Sequence, residues 1–245
     1  MAGTHEADGA VLLRLDGVCK RFGALTVADC LSLQLEEREA LGVLGPNGAG
    51  KSTVLNSISG LRPPKAGRIE FKGQRIDGLQ PQEIVRHRIS HIMERRRVFP
   101  YMSVRKNLWL GGYNPVARAD REETLAYVYE LFPRLEERAD QMAHSLSGGE
   151  QQMLALGRGL MSKPELLLVD EPLLGLAPAV AEHTMQVLRR INETGVAVLF
   201  IEQNVQTALG LAHRGYVLES GRLVLEGTAD ELLASDDVKR IFLGG

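Results

Sequence analysis

The stretch ALGVLGPNGAGKST (40–53) limits what this chain can fold into more than any other feature. Its opening run is apolar or glycine throughout, as a strand buried on both faces requires. The turn that comes after it fits G-x-x-x-x-G-K-[ST] at every fixed position, and a helical pattern comes next. Gly45, Gly48 and Gly50 let the backbone turn tightly, with Pro46, Asn47 and Ala49 completing the loop. Successive N–H groups of such a loop converge on phosphate oxygens, and the helix N-terminus adds the positive end of its dipole. Lys51 would reach the β- and γ-phosphates of a nucleotide, Ser52 would ligate Mg²⁺, and Thr53 closes the run. A glycine turn that only caps a helix is the plain alternative; the flanking strand and helix favour the phosphate loop.

LLLVDE (166–171) supplies the second half of such a site. Four apolar residues suit a central parallel strand, and the carboxylates then emerge at its C-terminal end, where open α/β sheets bind ligands. Asp170 is placed to hold Mg²⁺ through water, and Glu171 to orient and deprotonate an attacking water. Alone, the pair would serve equally well to cap the next helix. A third motif, LSGGEQQ (146–152), opens a helix through a capping box in which Ser147 and Glu150 satisfy each other's backbone N–H. Gly148 and Gly149 are poor choices there unless something approaches the backbone closely. A hydroxyl and free N–H groups at a helix N-terminus make a second anion site. Since the chain already carries a phosphate loop, this site is expected to serve the nucleotide of a partner subunit.

The remainder fits one α/β domain with a helical insertion. VLLRLDGV (11–18) and LSLQLE (31–36) alternate as strands, GRIEFKGQRI (67–76) looks like a hairpin, and ISHIM (89–93) is another short strand. From about 103 to 163 apolar residues recur at spacings of three and four. Beyond 165 strands and helices alternate, the mark of a parallel sheet covered by helices. A final hairpin, GYVLESGRLVLEG (215–227), turns at Ser220-Gly221, and the remaining C-terminal residues are too few for a further domain. Trp109, the single tryptophan, is expected in the core.

With 29 Lys and Arg against 31 Asp and Glu, the net charge is −2, which offers no footprint for nucleic acid. Cys19 and Cys30 have no CxxC spacing and no histidine cluster, which argues against a disulfide framework or zinc site and for a reducing cytoplasm. No apolar run approaches the roughly 18–20 residues that span a bilayer. The polar N-terminus MAGTHEADGA reads as a frayed tail rather than a secretory signal.

GPNGAGKST, LSGGEQQ and LLLVDEP, in that order and across essentially the whole chain, resemble the nucleotide-binding subunits of ATP-binding-cassette transporters. The resemblance implies a P-loop NTPase core (a mixed sheet with helices), an antiparallel β subdomain and an inserted helical subdomain. The corresponding boundaries are 11–94 and 164–234 for the catalytic and β lobe, 95–163 for the helical signature lobe, and 235–245 for a C-terminal tail. It further implies ATP and Mg²⁺ as cofactors. Two ATP molecules would lie between the phosphate loop of one subunit and the signature of the other, in a head-to-tail pair. The second ATPase could be a different subunit or another copy of this chain.

Residue by residue, Phe22 in KRFG matches an aromatic that stacks on adenine, with an ordinary core Phe as the alternative. GLAP (175–178) occupies a dimer-contact loop. Glu94 stands where most members carry Gln and can still ligate Mg²⁺ or its water, or remain a solvated charge. Gln203 stands where most carry a His; it can donate to the γ-phosphate but cannot become a cation. Arg95, Arg96 and Arg97 would form a basic rim that pairs with an acidic membrane-subunit helix, or a solvated charge run.

The stretch from YELFPRLEERADQ to GLAP, the EQN triplet and the FLGG ending are similar to ATPase subunits of branched-chain amino-acid importers. That resemblance implies two membrane permeases, an external substrate-binding protein and a peripheral place on the cytoplasmic face of the inner membrane. Urea or short-amide importers use very similar ATPases. A chromosome-organising ATPase would need a long coiled coil between Lys51 and Ser147, a translation-type ATPase two cassettes, and EQN and GLAP argue mildly against lipid export.

Overall fold

The computed structural model describes residues 9–243; most of the N-terminal tail and the two closing glycines lie outside the described residues. The chain opens with β1 (Val11–Phe22) and β2 (Leu25–Glu36), a long antiparallel pair. Leu13 and Leu15 on β1 and Leu31, Leu33 and Leu35 on β2 are buried, while Arg14, Asp16, Ser32 and Gln34 between them are exposed. This period of two gives the pair one apolar face and one wet face. Then come β3 (Ala40–Leu44), α1 (Lys51–Ile58), β4 (Ala66–Phe71) and β5 (Gln74–Arg75). β4 joins the far side of β1, so the order in the antiparallel sheet is β2-β1-β4-β5.

After α2 (Pro81–Arg86), β6 (Ile89–Ile92) enters the second sheet. The sequence reading passed over α2, although Pro81 at its start and the Gln80–Glu83 capping box were available signals. A helical stretch comes next: α3 (Val104–Gly111), α4 (Pro115–Ala119), α5 (Arg121–Leu131), α6 (Pro133–Glu137) and α7 (Gly148–Leu160). The chain then alternates through β7 (Leu166–Asp170), α8 (Pro178–Glu193), β8 (Ala197–Glu202), α9 (Val205–Leu209) and the hairpin of β9 (Arg214–Glu219) and β10 (Arg222–Thr228). Helices α10 (Ala229–Ala234) and α11 (Asp236–Leu243) complete it.

The six-stranded sheet runs β10-β9-β3-β8-β7-β6, parallel from β9 to β6. It divides the core. Leu166 and Leu168 of β7 and Leu199 and Ile201 of β8 pack toward α1 and the antiparallel sheet. Leu167, Val169, Val198 and Phe200, on the alternate positions, pack toward α7 and α8. Burial on both faces is why these strands read as continuous apolar runs. Each of these fully buried side chains contributes about 1.5–3 kcal/mol of transfer free energy.

Trp109 corrects the sequence reading: it is 37% exposed, with the Arg121 guanidinium 5.9 Å over its ring. On α3 the inward positions are Val104 and Leu108, and one further residue turns the side chain about 100° away from the core.

Candidate functional site

The parallel strands β3, β8, β7 and β6 all end at the same edge of the sheet, and the polar residues singled out in the sequence lie just past those ends. Leu44 pairs with Glu202, Asp170 with Ile201, and Ile92 with Val169, so the loops after them emerge side by side. After β3 the chain passes through Gly48 and Gly50 at φ values of 78° and 106° and enters α1. Gly45 is fixed by crowding: a Cβ there would lie 2.3 Å from the Leu218 carbonyl oxygen of β9. The α1 N-terminus has no side-chain cap, which leaves its first N–H groups facing the loop.

Lys51 is buried and curls back, its Nζ donating to the carbonyls of Gly45 at 2.8 Å and Pro46 at 3.0 Å. Burial lowers its pKa, while Glu171, Asp170 and Glu202 oppose that shift. Ser52 Oγ donates to Asp170 Oδ1 at 3.3 Å, joining the loop to β7. Burial raises the Asp170 carboxyl to about 6; Ser52 opposes this, and the charges of Glu171 and Glu94 add to it.

Glu171 lies 3.8 Å from Lys51 Nζ and accepts a 2.7 Å hydrogen bond from Gln203 Nε2. Its φ is 45°, a left-handed conformation uncommon outside glycine and concentrated at functional sites. Glu94 is at the same edge, but its Oε1 meets Arg95 Nε at 3.3 Å. Phe22, at the end of β1, is 41% exposed and so is no core residue; Lys20 Nζ and the Arg62 guanidinium lie 5.6 and 5.2 Å from its ring centroid.

The third motif sits apart from this cluster within one chain. Ser147 caps α7, accepting from Glu150 N at 3.3 Å, while its own N–H donates to Glu150 Oε2 at 2.8 Å. The approaches to the motif's two glycines come from side chains of the same chain. A Cβ on Gly148 would meet the Arg96 guanidinium at 3.0 Å, and one on Gly149 would meet Val180 Cγ1 of α8 at 2.7 Å. Arg95, Arg96 and Arg97 have φ values of 63°, 64° and 46°. Arg97 Nε donates to the Glu94 carbonyl at 3.4 Å, and its own carbonyl accepts from Arg158 Nη2 at 2.8 Å. Arg95 and Arg97 are nevertheless exposed, and only Arg96 is half-buried.

Sequence reasoning missed Glu202 as a positioning carboxylate. It is buried, its pKa is raised by that burial, and it accepts from the N–H groups of Leu173 at 3.1 Å and Gln203 at 3.2 Å. Its place at the end of an apolar strand at the same edge was the available signal. A groove of about 530 Å³ lies between α2, α3, β6 and α7; Leu61, Val85, Phe99, Tyr113, His91 and Arg158 line it. Within it His91 Nε2 and Arg158 Nη1 are buried without a partner, and burial lowers His91 to about 4.

The ABC transporter family pattern matches residues 28–174. The chain is 42% identical, over 96% of its length and all of the relative's, to the high-affinity branched-chain amino acid transport ATP-binding protein BraG of Pseudomonas aeruginosa. A solved ATP-binding cassette of an ABC transporter in its ADP conformation superimposes with a TM-score of 0.86 at 26% identity, covering 96% of this chain and 100% of that one. A dimeric ATP-binding cassette in a post-hydrolysis state, bound to ADP and phosphate, gives a TM-score of 0.75 at 26% identity, covering 89% and 99%.

Proposed function

Because the chain belongs to the ABC transporter family and is one of its ATP-hydrolysing subunits, we propose that it is the motor of a bacterial importer of branched-chain amino acids. The full-length match to BraG carries the cargo reading. Residues 11–94 and 164–234 would form the catalytic and β lobe, 95–163 the helical signature lobe, and 235–245 a C-terminal tail.

Phe22 would stack on adenine, and the loop from Gly45 through Thr53 would wrap the phosphates. Lys51 would exchange its carbonyl partners, Gly45 and Pro46, for phosphate oxygens. Ser52, Asp170 and Glu94 are hard oxygen donors of the kind Mg²⁺ takes, and they would hold it together with phosphate and water. A bound Mg²⁺ would neutralise phosphate charge. Glu171 would then accept a proton from the attacking water, held in place by one N–H of Gln203 while the other faces the γ-phosphate. Ser147, Gly148, Gly149 and Glu150 would complete the site on a second cassette, either a different ATPase subunit or another copy of this chain.

No described helix is long and apolar enough to cross a membrane, so the permeases would supply the span and this chain would bind them peripherally, on the cytoplasmic face. The groove beside the arginine run is the surface proposed to receive them, with an external binding protein delivering cargo on the other side. A detergent pull-down of this subunit from its native membrane, with mass spectrometry of the co-purifying proteins, tests the reading. Two permeases, a second ATPase and a linked amino-acid-binding protein are expected. Recovery of this chain alone in gentle detergent overturns the importer.

A further inference from the structure

Cys19 and Cys30 are 11 residues apart in sequence, yet their Sγ atoms lie 3.3 Å from each other across β1 and β2. Both are free thiols, Cys19 half-buried and Cys30 exposed. The register shows how they meet. Val18 pairs with Leu31 and Lys20 with Ala28, so Asp29 and Cys30 together oppose the single residue Cys19. That is a β-bulge, and Cys30 takes a φ of 52° within it. The bulge is held from outside: Asp29 N–H donates to the Gly221 carbonyl at 2.8 Å, and Arg222 Nη2 donates to Asp29 Oδ2 at 2.7 Å.

The two sulfurs are already in contact at 3.3 Å, about 1.2 Å beyond the roughly 2.05 Å of a disulfide bond. The same strand pair carries the proposed nucleotide platform. Phe22 ends β1 just beyond Cys19, and the Val27 carbonyl of β2 packs so closely on Gly50 that a Cβ there would lie 2.3 Å from it.

We propose that Cys19 and Cys30 are a reversible thiol-modification site, which a two-electron oxidant of the peroxide class converts into an intrachain disulfide that lowers nucleotide affinity. The exposed Cys30 meets the oxidant: its thiolate sulfur attacks one peroxide oxygen, the O–O bond breaks, and hydroxide leaves to become water. Cys19 sulfur then attacks the resulting sulfenic sulfur, the S–O bond breaks, and the hydroxyl leaves as water with the Cys19 proton. Two thiols give up two electrons and two protons, and one peroxide becomes two waters. The Cys30 thiol is raised, first by its hydrogen bond with Cys19, then by that thiol's charge, burial and Asp29, with Arg222 opposing, so only a small thiolate fraction reacts and the oxidation quickens as pH rises. Drawing the sulfurs from hydrogen-bond contact to about 2.05 Å pulls on the strands between Phe22 and the phosphate loop. The effect on affinity rests on the proposed nucleotide site; the covalent step does not.

The test treats the purified, reduced full chain with hydrogen peroxide and reads intact mass, free thiols, tryptic peptides and binding of a fluorescent ATP analogue. Expected are loss of both thiols without added oxygen and a peptide holding Cys19 joined to one holding Cys30. Dithiothreitol should reverse this, and analogue affinity should fall at least two-fold in the oxidised form. Cys30→Ser should show neither change. Oxygen added to Cys30 with Cys19 still free, or only interchain dimers, overturns the site. A disulfide with unchanged affinity overturns its coupling to the nucleotide. Failure of the reduced protein to bind the analogue at all would instead count against the nucleotide site, with the disulfide still decided by mass.

Discussion

Gln203 Nε2 donates to Glu171 Oε1 at 2.7 Å, tying the residue after β8 to the residue after β7. The bond matters because Glu171 is held at a φ of 45° and sits 3.8 Å from Lys51 Nζ. An amide fixes the carboxylate but carries no charge and moves no proton. Gln203→Ala should therefore lower kcat by roughly 10–100-fold with little change in ATP affinity, since it frees the proposed general base rather than removing it. Gln203→His, in the full complex, should raise turnover several-fold. Unchanged ATPase in both variants would remove Gln203 from the reaction.

Asp170 gives a pH dependence. Its carboxyl is raised by burial to about 6, so the folded chain holds that proton more tightly than the unfolded chain does. Such a group favours folding while protonated, and the benefit is lost as pH rises through about 6. Without nucleotide or Mg²⁺, Asp170→Asn should stabilise the protein at pH 7.5 by about 1–3 kcal/mol. The gain should vanish toward pH 4, where the wild-type carboxyl is neutral, and thermal melts across that range check it. Mg–ATP binding at pH 6 should also release protons from the wild type but not the variant, read by calorimetry in buffers of different ionisation heat. Equal melts at every pH would show that Asp170 carries no such strain.

Phe22 presents its ring at the surface with Lys20 and Arg62 over it, so an adenine stacking there would displace one of the two cations. Phe22→Ala should weaken ATP binding by about 1–1.5 kcal/mol, roughly ten-fold, while the melting temperature barely moves. Phe22→Tyr should retain affinity. A large loss of stability with unchanged affinity would return Phe22 to a packing role.

The site was legible where chemistry and fold demand the same residues. Lys51, Asp170 and Ser147 each end a buried strand or open a helix, so motif and periodicity reinforced one another. The Ser147–Glu150 capping box was readable for that reason. The features that escaped depend on tertiary placement. Cys19 and Cys30 meet only through a bulge, which no spacing rule reveals. Trp109 faces outward because α3 is phased on Val104 and Leu108. The left-handed run Arg95–Arg97 is held by contacts to Glu94 and to distant Arg158, so nothing in ERRR foretells it.

The groove next to that run predicts a separation of functions. Phe99 and Tyr113 stand exposed at its rim, and Arg158 Nη1 is buried below them without an acceptor. Tyr113→Ala and Phe99→Ala should each reduce permease recovery in the pull-down at least five-fold while ATP affinity of the isolated subunit stays the same. Such losses are typical of aromatic anchors at an interface. Full permease recovery by the double variant would move the docking surface elsewhere.

The signature helix touches α8 at its first turn, and that contact can be measured. A Cβ on Gly149 would sit 2.7 Å from Val180 Cγ1, and a β-branched side chain in a helix has little freedom to turn away. Gly149→Ala would gain helix propensity, worth roughly 1 kcal/mol at a helix interior and less at this first turn. Overpacking should outweigh it, so a net loss of about 1–2 kcal/mol in a urea titration is expected. Val180→Ala removes the obstructing methyls, and in its background the Gly149→Ala change should become neutral or stabilising, a coupling that a double-mutant cycle isolates. Because Gly149 lies in the first turn of α7, Gly149→Ala should also slow hydrolysis in the complex under conditions where it is still folded. Purely additive effects would mean that α7 and α8 do not depend on this contact.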